Sequence, residues 1–329
     1  MGTKVLGVGH YAPKKIITNH YFIDNGIETS NEWITSRTGI QQRRYINDTE
    51  SSSTLAYNAS INCLKNANLS SDKIDLIIVA TSTPDYLGFP STACLLQDHL
   101  NCLNTPAFDL SAACSGFCYA ITTAENFLLN KDYQNILIVG VDCLSTITDQ
   151  TDRKTVILFG DAAGAMILSK SKSDKKGLIY SKIYADGKSH NILKIPEGGS
   201  KKPLNNKVIS SRKHYIEMDG KTVFKQAINT TVPAIKQALK EKNISINDVS
   251  YLICHQANER ILQNIAEKLN IDSQKLIINL DKYGNTSAAS IPLALSEFNQ
   301  EKGFKKNDIL VLIGFGAGFT WGVNIIIWE

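Results

Sequence analysis

The chain has 329 residues, 43% of them hydrophobic and 20% charged, with a net charge of +4. These proportions are those of an ordinary globular protein long enough for two domains, and so small a charge does not call for nucleic acid or an anionic membrane as a partner. Its seven cysteines form no CxxC pair and accompany no histidine-rich run, which argues against a zinc site or a disulfide framework.

The first ten residues, Met1 to His10, lack the apolar stretch of a signal peptide. Unpaired thiols then suggest a reducing, cytoplasmic setting, and no apolar run reaches membrane-spanning length. Val5 to Val8 reads as a strand. Thr29-Ser-Asn-Glu-Trp33-Ile opens a helix behind capping residues, ending near Thr38-Gly39. Trp33 and Arg37, four apart, share a face and could clamp a flat ring such as adenine; Trp33 would equally serve as core. Ser51 to Asn68 is an amphipathic helix and Ile74 to Ala80 a buried strand. A loop over Thr81 to Pro90 and a helix over Ser91 to Leu100 follow.

Thr105 to Leu110 then runs as a strand into Ser111-Ala-Ala-Cys114-Ser-Gly116, a turn of small residues. Phe117, Ala120, Ile121, Ala124, Phe127 and Leu128 recur at helical spacing behind it. Cys114 therefore falls at a strand–helix junction, reachable from a pocket. The helix N-terminus favours thiolate over thiol there. A buried structural cysteine fits the same position. Asn135 to Gly140 is a strand, Asp152-Arg153 a polar turn before the apolar Val156 to Phe159, and Gly160 to Leu168 a turn and strand. Residues 169–215 are polar and Lys-rich. They read as a connecting strand or two with a solvated face, and contain the boundary between halves at 1–171 and 172–329.

The second half echoes the first. Asn68 to Val79 answers to Asn243 to Cys254, Phe108-Asp-Leu110 to Ile278-Asn-Leu280, and Asn135 to Gly140 to Asp308 to Ile313. The displacement stays at about 170–175 residues, the mark of an internal duplication. Alternating strands and helices in each half predict an α/β fold with mainly parallel strands covered on both faces. In such sheets the loops beyond the strand carboxyl ends carry function, and these loops hold Cys114, His255 and Asn285. A pseudo-twofold axis would bring them to one cleft.

Each has a plain alternative: His255 as a satisfied core histidine, Asn285 as a helix cap. The glycines of Gly314-Phe-Gly-Ala-Gly318 do not fit a dinucleotide loop, because the third is misplaced and no crossover helix follows. A hairpin return whose N–H groups form an oxyanion hole suits them better. Cys, His and Asn in this order also occur in papain-like cysteine hydrolases, but the local signature around that nucleophile is missing. An acyltransferase that forms a thioester on Cys needs the same nucleophile, with two neutral donors to steady an enolate.

Thr29-Ser-Asn-Glu-Trp-Ile-Thr-Ser-Arg-Thr-Gly39, Asp109-Leu-Ser-Ala-Ala-Cys-Ser-Gly-Phe117, Phe159-Gly-Asp161, His255-Gln-Ala-Asn258, Gly284-Asn-Thr-Ser-Ala-Ala-Ser290 and Phe315-Gly-Ala-Gly-Phe-Thr-Trp-Gly322 resemble, in order and over essentially the whole chain, the β-ketoacyl-acyl-carrier-protein synthase III family of the thiolase superfamily. The resemblance implies a five-layer α-β-α-β-α sandwich, normally a homodimer. It implies that an acyl-CoA acylates Cys114, and that His255 and Asn285 hold the carbonyl of malonyl-acyl-carrier protein during decarboxylation. Backbone N–H groups of Cys114 and Ala317 would form the oxyanion hole. Trp33 and Arg153 would sandwich the CoA adenine beside Arg37 and Thr38. Phe159 and the loop carrying Phe89 would shape the acyl pocket, and Lys225, Arg260 and Lys268 would dock the acidic carrier. No cofactor or metal is implied; acyl-CoA is a substrate. Ala317 stands where members often have glycine, Glu267 replaces a frequent lysine on the docking face, and the Phe89 loop is one residue longer than common versions. A member recruited to a specialised pathway, passing its acyl group to another nucleophile, is the alternative within the resemblance.

Overall fold

The computed structural model describes residues 2–329. Its principal elements are β1 (Gly2–Tyr11), α1 (Asn31–Thr38), α2 (Ser52–Ala67), β2 (Leu76–Ala80), α3 (Thr92–His99), β3 (Ala107–Leu110), α4 (Gly116–Leu128), β4 (Asn135–Cys143), β5 (Asp161–Ser171), β6 (Gly177–Ala185), α5 (Gly220–Glu241), β7 (Tyr251–Cys254), α6 (Glu259–Leu269), α7 (Ser290–Glu301), β8 (Ile309–Gly316) and β9 (Thr320–Ile327). The helix ends follow local chemistry. The Ser30 hydroxyl accepts from Trp33 N at 3.1 Å to start α1, and Gly39 closes it in the left-handed conformation.

The strands are ordered β7-β8-β9-β6-β1-β5-β4-β2-β3. Reading inward from either end gives the same arrangement. In the first half β2 and β3 pair parallel, as do β2 and β4, while β5 and β1 run antiparallel. In the second half β7 and β8 pair parallel, and β9 and β6 run antiparallel. A single parallel bridge, Leu252 to Leu276, takes the place of β3. The halves meet at β1 and β6, which share only the register pair Thr3–Leu178.

Helices complete five layers. α2 and α3 cover the outer face of the first half, with Leu55, Ala59 and Leu96 on Ile77 and Val139. α5 and α6 cover the second, with Ile235, Leu262 and Ile265 on Leu252 and Val311. α4 and α7 lie between, touching strands of both halves. Phe117 and Ile121 of α4 meet Ile291 and Leu295 of α7 there, all fully buried. Strands with apolar residues on both faces need this double cover. Gly140 of β4 lets the turn before α7 settle onto the sheet: a Cβ there would lie 2.2 Å from the Ala288 carbonyl oxygen.

Candidate active site

β3 delivers the chain to Ala113, which adopts a left-handed φ of 47°. Only tight packing holds a residue with a Cβ there. Ala113–Ser115 form a short 3-10 turn, so α4 begins at Gly116, just past the cysteine. The Ser115 hydroxyl lies 2.8 Å from both Ala112 O and Thr320 Oγ1, tying this turn to β9. The thiolate expected from the helix N-terminus is not what this environment favours. Burial pushes the Cys114 thiol up to about 12, against a Ser287 hydroxyl 3.2 Å from the sulfur and with the negative charge of Asp142 adding to the rise.

His255 follows β7, its backbone N–H bonded to Ile313 O at 2.8 Å. The ring is buried edge-on to Phe315, and Nδ1 lies 3.0 Å from Ser290 Oγ. Burial pulls its pKa down to about 3, so the imidazole is neutral in ordinary buffers. Asn285 pairs with the segment just before β5: its N–H donates to Leu158 O and its C=O accepts from Gly160 N, each at 2.9 Å. Its Oδ1 accepts from Ser287 N at 2.9 Å. The side-chain oxygen is thereby committed to the turn, and the amide NH₂ remains as a donor to the cavity.

Two cavities of about 120 Å³ each border Cys114. One also contains His255, Asn285, Phe315 and Gly316, with Val223 and Phe224 farther out. The other is apolar, formed by Leu144, Ile147, Phe159, Leu193, Ile216 and Ala317; Phe159 borders both. Gly316 is what lets β8 pass so near the sulfur: a Cβ would stand 2.8 Å from Cys114 N and 2.9 Å from Cys114 Cβ. Gly316→Ala should therefore displace Cys114. Acylation of Cys114, followed by intact mass after mixing with acyl-CoA, is expected to slow about a hundredfold, as sub-ångström to ångström misplacement does. Wild-type rates would show that the turn absorbs the methyl group.

Residues farther out are placed as follows. Arg153 stacks directly on Trp33, its guanidinium carbon 4.2 Å from the ring centroid. No ring fits between them at that separation, so the Trp33–Arg153 clamp is closed. Arg37, offered from helical spacing as Trp33's partner, is exposed, and its carbonyl accepts from Asn258 Nδ2 at 3.0 Å. Thr38 is buried, its hydroxyl spent on Ile34 O at 2.6 Å and on Ile40 N at 3.0 Å, where it finishes α1. Arg260 is exposed and donates through Nη2 to Ser36 O at 2.8 Å; Lys225 and Lys268 are exposed on α5 and α6. Phe89 is 87% exposed and lies outside both cavities of its own chain. Among the described residues no group of three or more His, Cys, Asp and Glu side chains is placed to hold a metal ion, and no helix is long and apolar enough to cross a membrane.

Sequence reasoning missed several contributors. Leu193, Ile195, Ile216 and Met218 come from or just beyond the stretch read as a solvated face, yet they line the cavities. Their signal was the apolar alternation of Leu193-Lys-Ile195 and Ile216-Glu-Met218, whose short strands pair at residues 193–194 and 217–218. Asp142, Ser287 and Ser290 carried no signal of their own. The polar turn at Asp152-Arg153 instead opens a short helix, Arg153–Val156, which is followed by a bridge from Phe159 to Asn285.

Residues 108–187 match the family described as 3-oxoacyl-[acyl-carrier-protein (ACP)] synthase III, and residues 239–328 match its C-terminal counterpart. The chain is 42% identical over its full length to the β-ketoacyl-[acyl-carrier-protein] synthase III of Clostridioides difficile, itself covered in full. It is 43% identical to the protein of the same name from Caldanaerobacter subterraneus, with 99% of this chain and 97% of the relative covered. The crystal structure of 3-oxoacyl-[acyl-carrier-protein] synthase III from Aquifex aeolicus superposes with a TM-score of 0.91 at 40% identity, covering 99% of this chain and all of that one.

Proposed function

The chain belongs to the 3-oxoacyl-[acyl-carrier-protein] synthase III family, and from that premise we propose that it condenses an acyl group from acyl-CoA with malonyl-acyl-carrier protein, initiating fatty-acid synthesis. The observation that carries the site assignment is the position of Cys114 between a cavity holding His255 and Asn285 and a second, apolar one.

Cys114 attacks the acyl-CoA thioester, and the thiol proton leaves on CoA. The acyl chain lies in the apolar cavity against Phe159, Leu193 and Ile216. Malonyl carrier then brings its thioester to the other cavity. Asn285 donates Nδ2–H to the carbonyl oxygen and His255 donates Nε2–H. The second donor requires the Ser290 hydroxyl, which donates to Ser287 O at 2.8 Å, to turn its proton to Nδ1, 3.0 Å away. Carbon dioxide departs and the electron pair it leaves is held as an enolate between these donors. The α-carbon attacks the acyl-cysteine carbonyl, whose oxygen is bound by the backbone N–H groups of Cys114 and Ala317. Collapse releases the cysteine sulfur and a 3-oxoacyl carrier protein. The sulfur leaves as a thiolate and regains its proton from solvent, and no step calls for a cofactor.

Residues 1–171 supply the nucleophile and residues 172–329 the two donors. Trp33 and Arg153 open to receive the adenine, beside Arg37. Lys225, Arg260 and Lys268 offer positive charge to an acidic carrier. Tyr86, Leu87 and Phe89, exposed together on one loop, favour a second copy of the chain covering that loop, which is the arrangement in which Phe89 would reach an acyl pocket. The decisive experiment gives the protein a series of acyl-CoA primers of rising length with malonyl carrier. Short primers should yield 3-oxoacyl carrier with release of carbon dioxide, and rates should fall as the chain outgrows the apolar cavity. Acyl-enzyme without condensation for every primer would mean that the acyl group goes to a different acceptor.

A further inference from the structure

Behind Cys114 lies a buried polar group that the reaction above does not use. Asp142, at the end of β4, is wholly buried. Its Oδ1 accepts from Ser82 N at 2.6 Å, Thr83 Oγ1 at 3.2 Å and Thr81 Oγ1 at 3.3 Å, and its Oδ2 accepts from Ala288 N at 3.1 Å. Burial pushes the Asp142 carboxyl up, and these donors pull the other way, toward the anion. The Ser287 hydroxyl also faces it, and that same hydroxyl lies 3.2 Å from Cys114 Sγ.

The backbone shows that this placement is enforced. Ser287 has a left-handed φ of 50°, matching the 47° of Ala113. Most other non-glycine residues with positive φ in the chain are asparagines, which tolerate it. Ala113 and Ser287 occupy corresponding turns of the two halves, and the two turns pack against each other. Ser287 is held in its strained conformation from both sides, by Asn285 Oδ1 on its own N–H and by Asp142 on the next one.

We propose that Ser287 is a positioning residue for Cys114, its single hydroxyl proton alternating between the nucleophilic sulfur and the carboxylate of Asp142. While the sulfur is a thiol, S–H donates to Ser287 Oγ and the serine O–H donates to Asp142. When the sulfur becomes a thiolate, the hydroxyl turns and donates to it. Once the sulfur is acylated it needs no donor, and the hydroxyl returns to the carboxylate. Asp142 thus opposes thiolate formation by its charge, and Ser287 offsets that opposition only when the proton has left. The other titratable side chains lining the sulfur's two cavities are His255, which is neutral, and Lys194 in the apolar one; the charge that acts on Cys114 is that of Asp142, so the balance lies with Asp142 and Ser287.

The proposal rests on Cys114 being the acylated residue, but its test does not involve acyl transfer. Alkylation of Cys114 by iodoacetamide is followed against pH by peptide mass, in a Cys94→Ser background that removes the exposed thiol. Ser287→Ala should move the profile to higher pH and slow alkylation about tenfold at pH 8, the effect of one lost hydrogen bond to a charged sulfur. Asp142→Asn should move it the opposite way, because the charge is gone and the serine proton is free for the sulfur. A contact with a merely structural role would slow both variants alike without shifting either profile. Equal shifts in one direction, or none, would overturn the proposal. If Asp142→Asn does not fold by thermal melting, the Ser287→Ala profile decides alone. If the profiles shift as expected while acyl-CoA leaves no adduct on the wild-type protein, the condensing reading fails and this one stands.

Discussion

Cys114→Ala should abolish acyl transfer and leave the fold in place. Wild-type protein mixed with acetyl-CoA is expected to gain the mass of one acetyl group on the peptide containing Cys114; the variant should gain none, and its condensation rate should drop by about four orders of magnitude or more, as loss of a covalent nucleophile does. Six other cysteines are present and unpaired, but their positions make poor substitutes. Cys118, one helical turn on, is fully buried, and burial pushes its thiol far above its usual range toward about 12, as it does for Cys114. Unlike Cys114, Cys118 borders neither of the two cavities. Cys94 is exposed, away from the donors. Removing one sulfur from a residue already beside two cavities opens little new void, so stability should change by roughly 1 kcal/mol. An acetyl adduct persisting on the variant at wild-type yield would transfer the role to another thiol and dissolve the mechanism.

How much of this was open to inspection in the sequence depends on distance along the chain. Local chemistry was legible: Ser30 and Gly39 bound α1 where capping rules put them, and small residues around Cys114 do form a tight turn. The duplicated order of strands was legible too, because long apolar strands repeat at a near-constant displacement and the pairing of β2 and β4 recurs in β7 and β8. Interactions between distant segments were not legible from local pattern: Arg153, which only the family resemblance paired with Trp33, reaches it from across the chain, while Arg37, the partner that helical spacing suggested, faces elsewhere. Burial was the largest gap. A helix N-terminus argues for a thiolate, but nothing in Ala113-Cys-Ser115 reveals how completely the sulfur is withdrawn from water or that Asp142 stands behind it. The Lys-rich segment deceived for a related reason. Most of its lysines do face solvent, as do Leu204 and Ile209, but Leu193 and Ile195 border the cavities.

His255→Ala should separate the two chemical steps. Decarboxylation of malonyl carrier is expected to fall by about 10²–10³, the usual loss when one oxyanion donor is removed, while acetylation of Cys114 by acetyl-CoA keeps most of its rate. Asn285→Ala should do the same to decarboxylation but also perturb Cys114, because Asn285 Oδ1 holds the Ser287 N–H. The pH dependence gives a sharper check. Burial keeps the folded His255 neutral down to about 3, so decarboxylation should show no inflection near 6.5, where an exposed histidine titrates. Stability carries the opposite signature. Between about 3 and 6.5 the unfolded chain binds a proton at this histidine that the folded chain refuses. The neutral burial is therefore fully tolerated above 6.5, and stability is lost as the pH falls through that window. His255→Asn should lessen this acid sensitivity in denaturant titrations at pH 5 and pH 8. A histidine-like inflection in the wild-type decarboxylation rate, absent from the variant, would mean that His255 works as a titrating base rather than as a neutral donor.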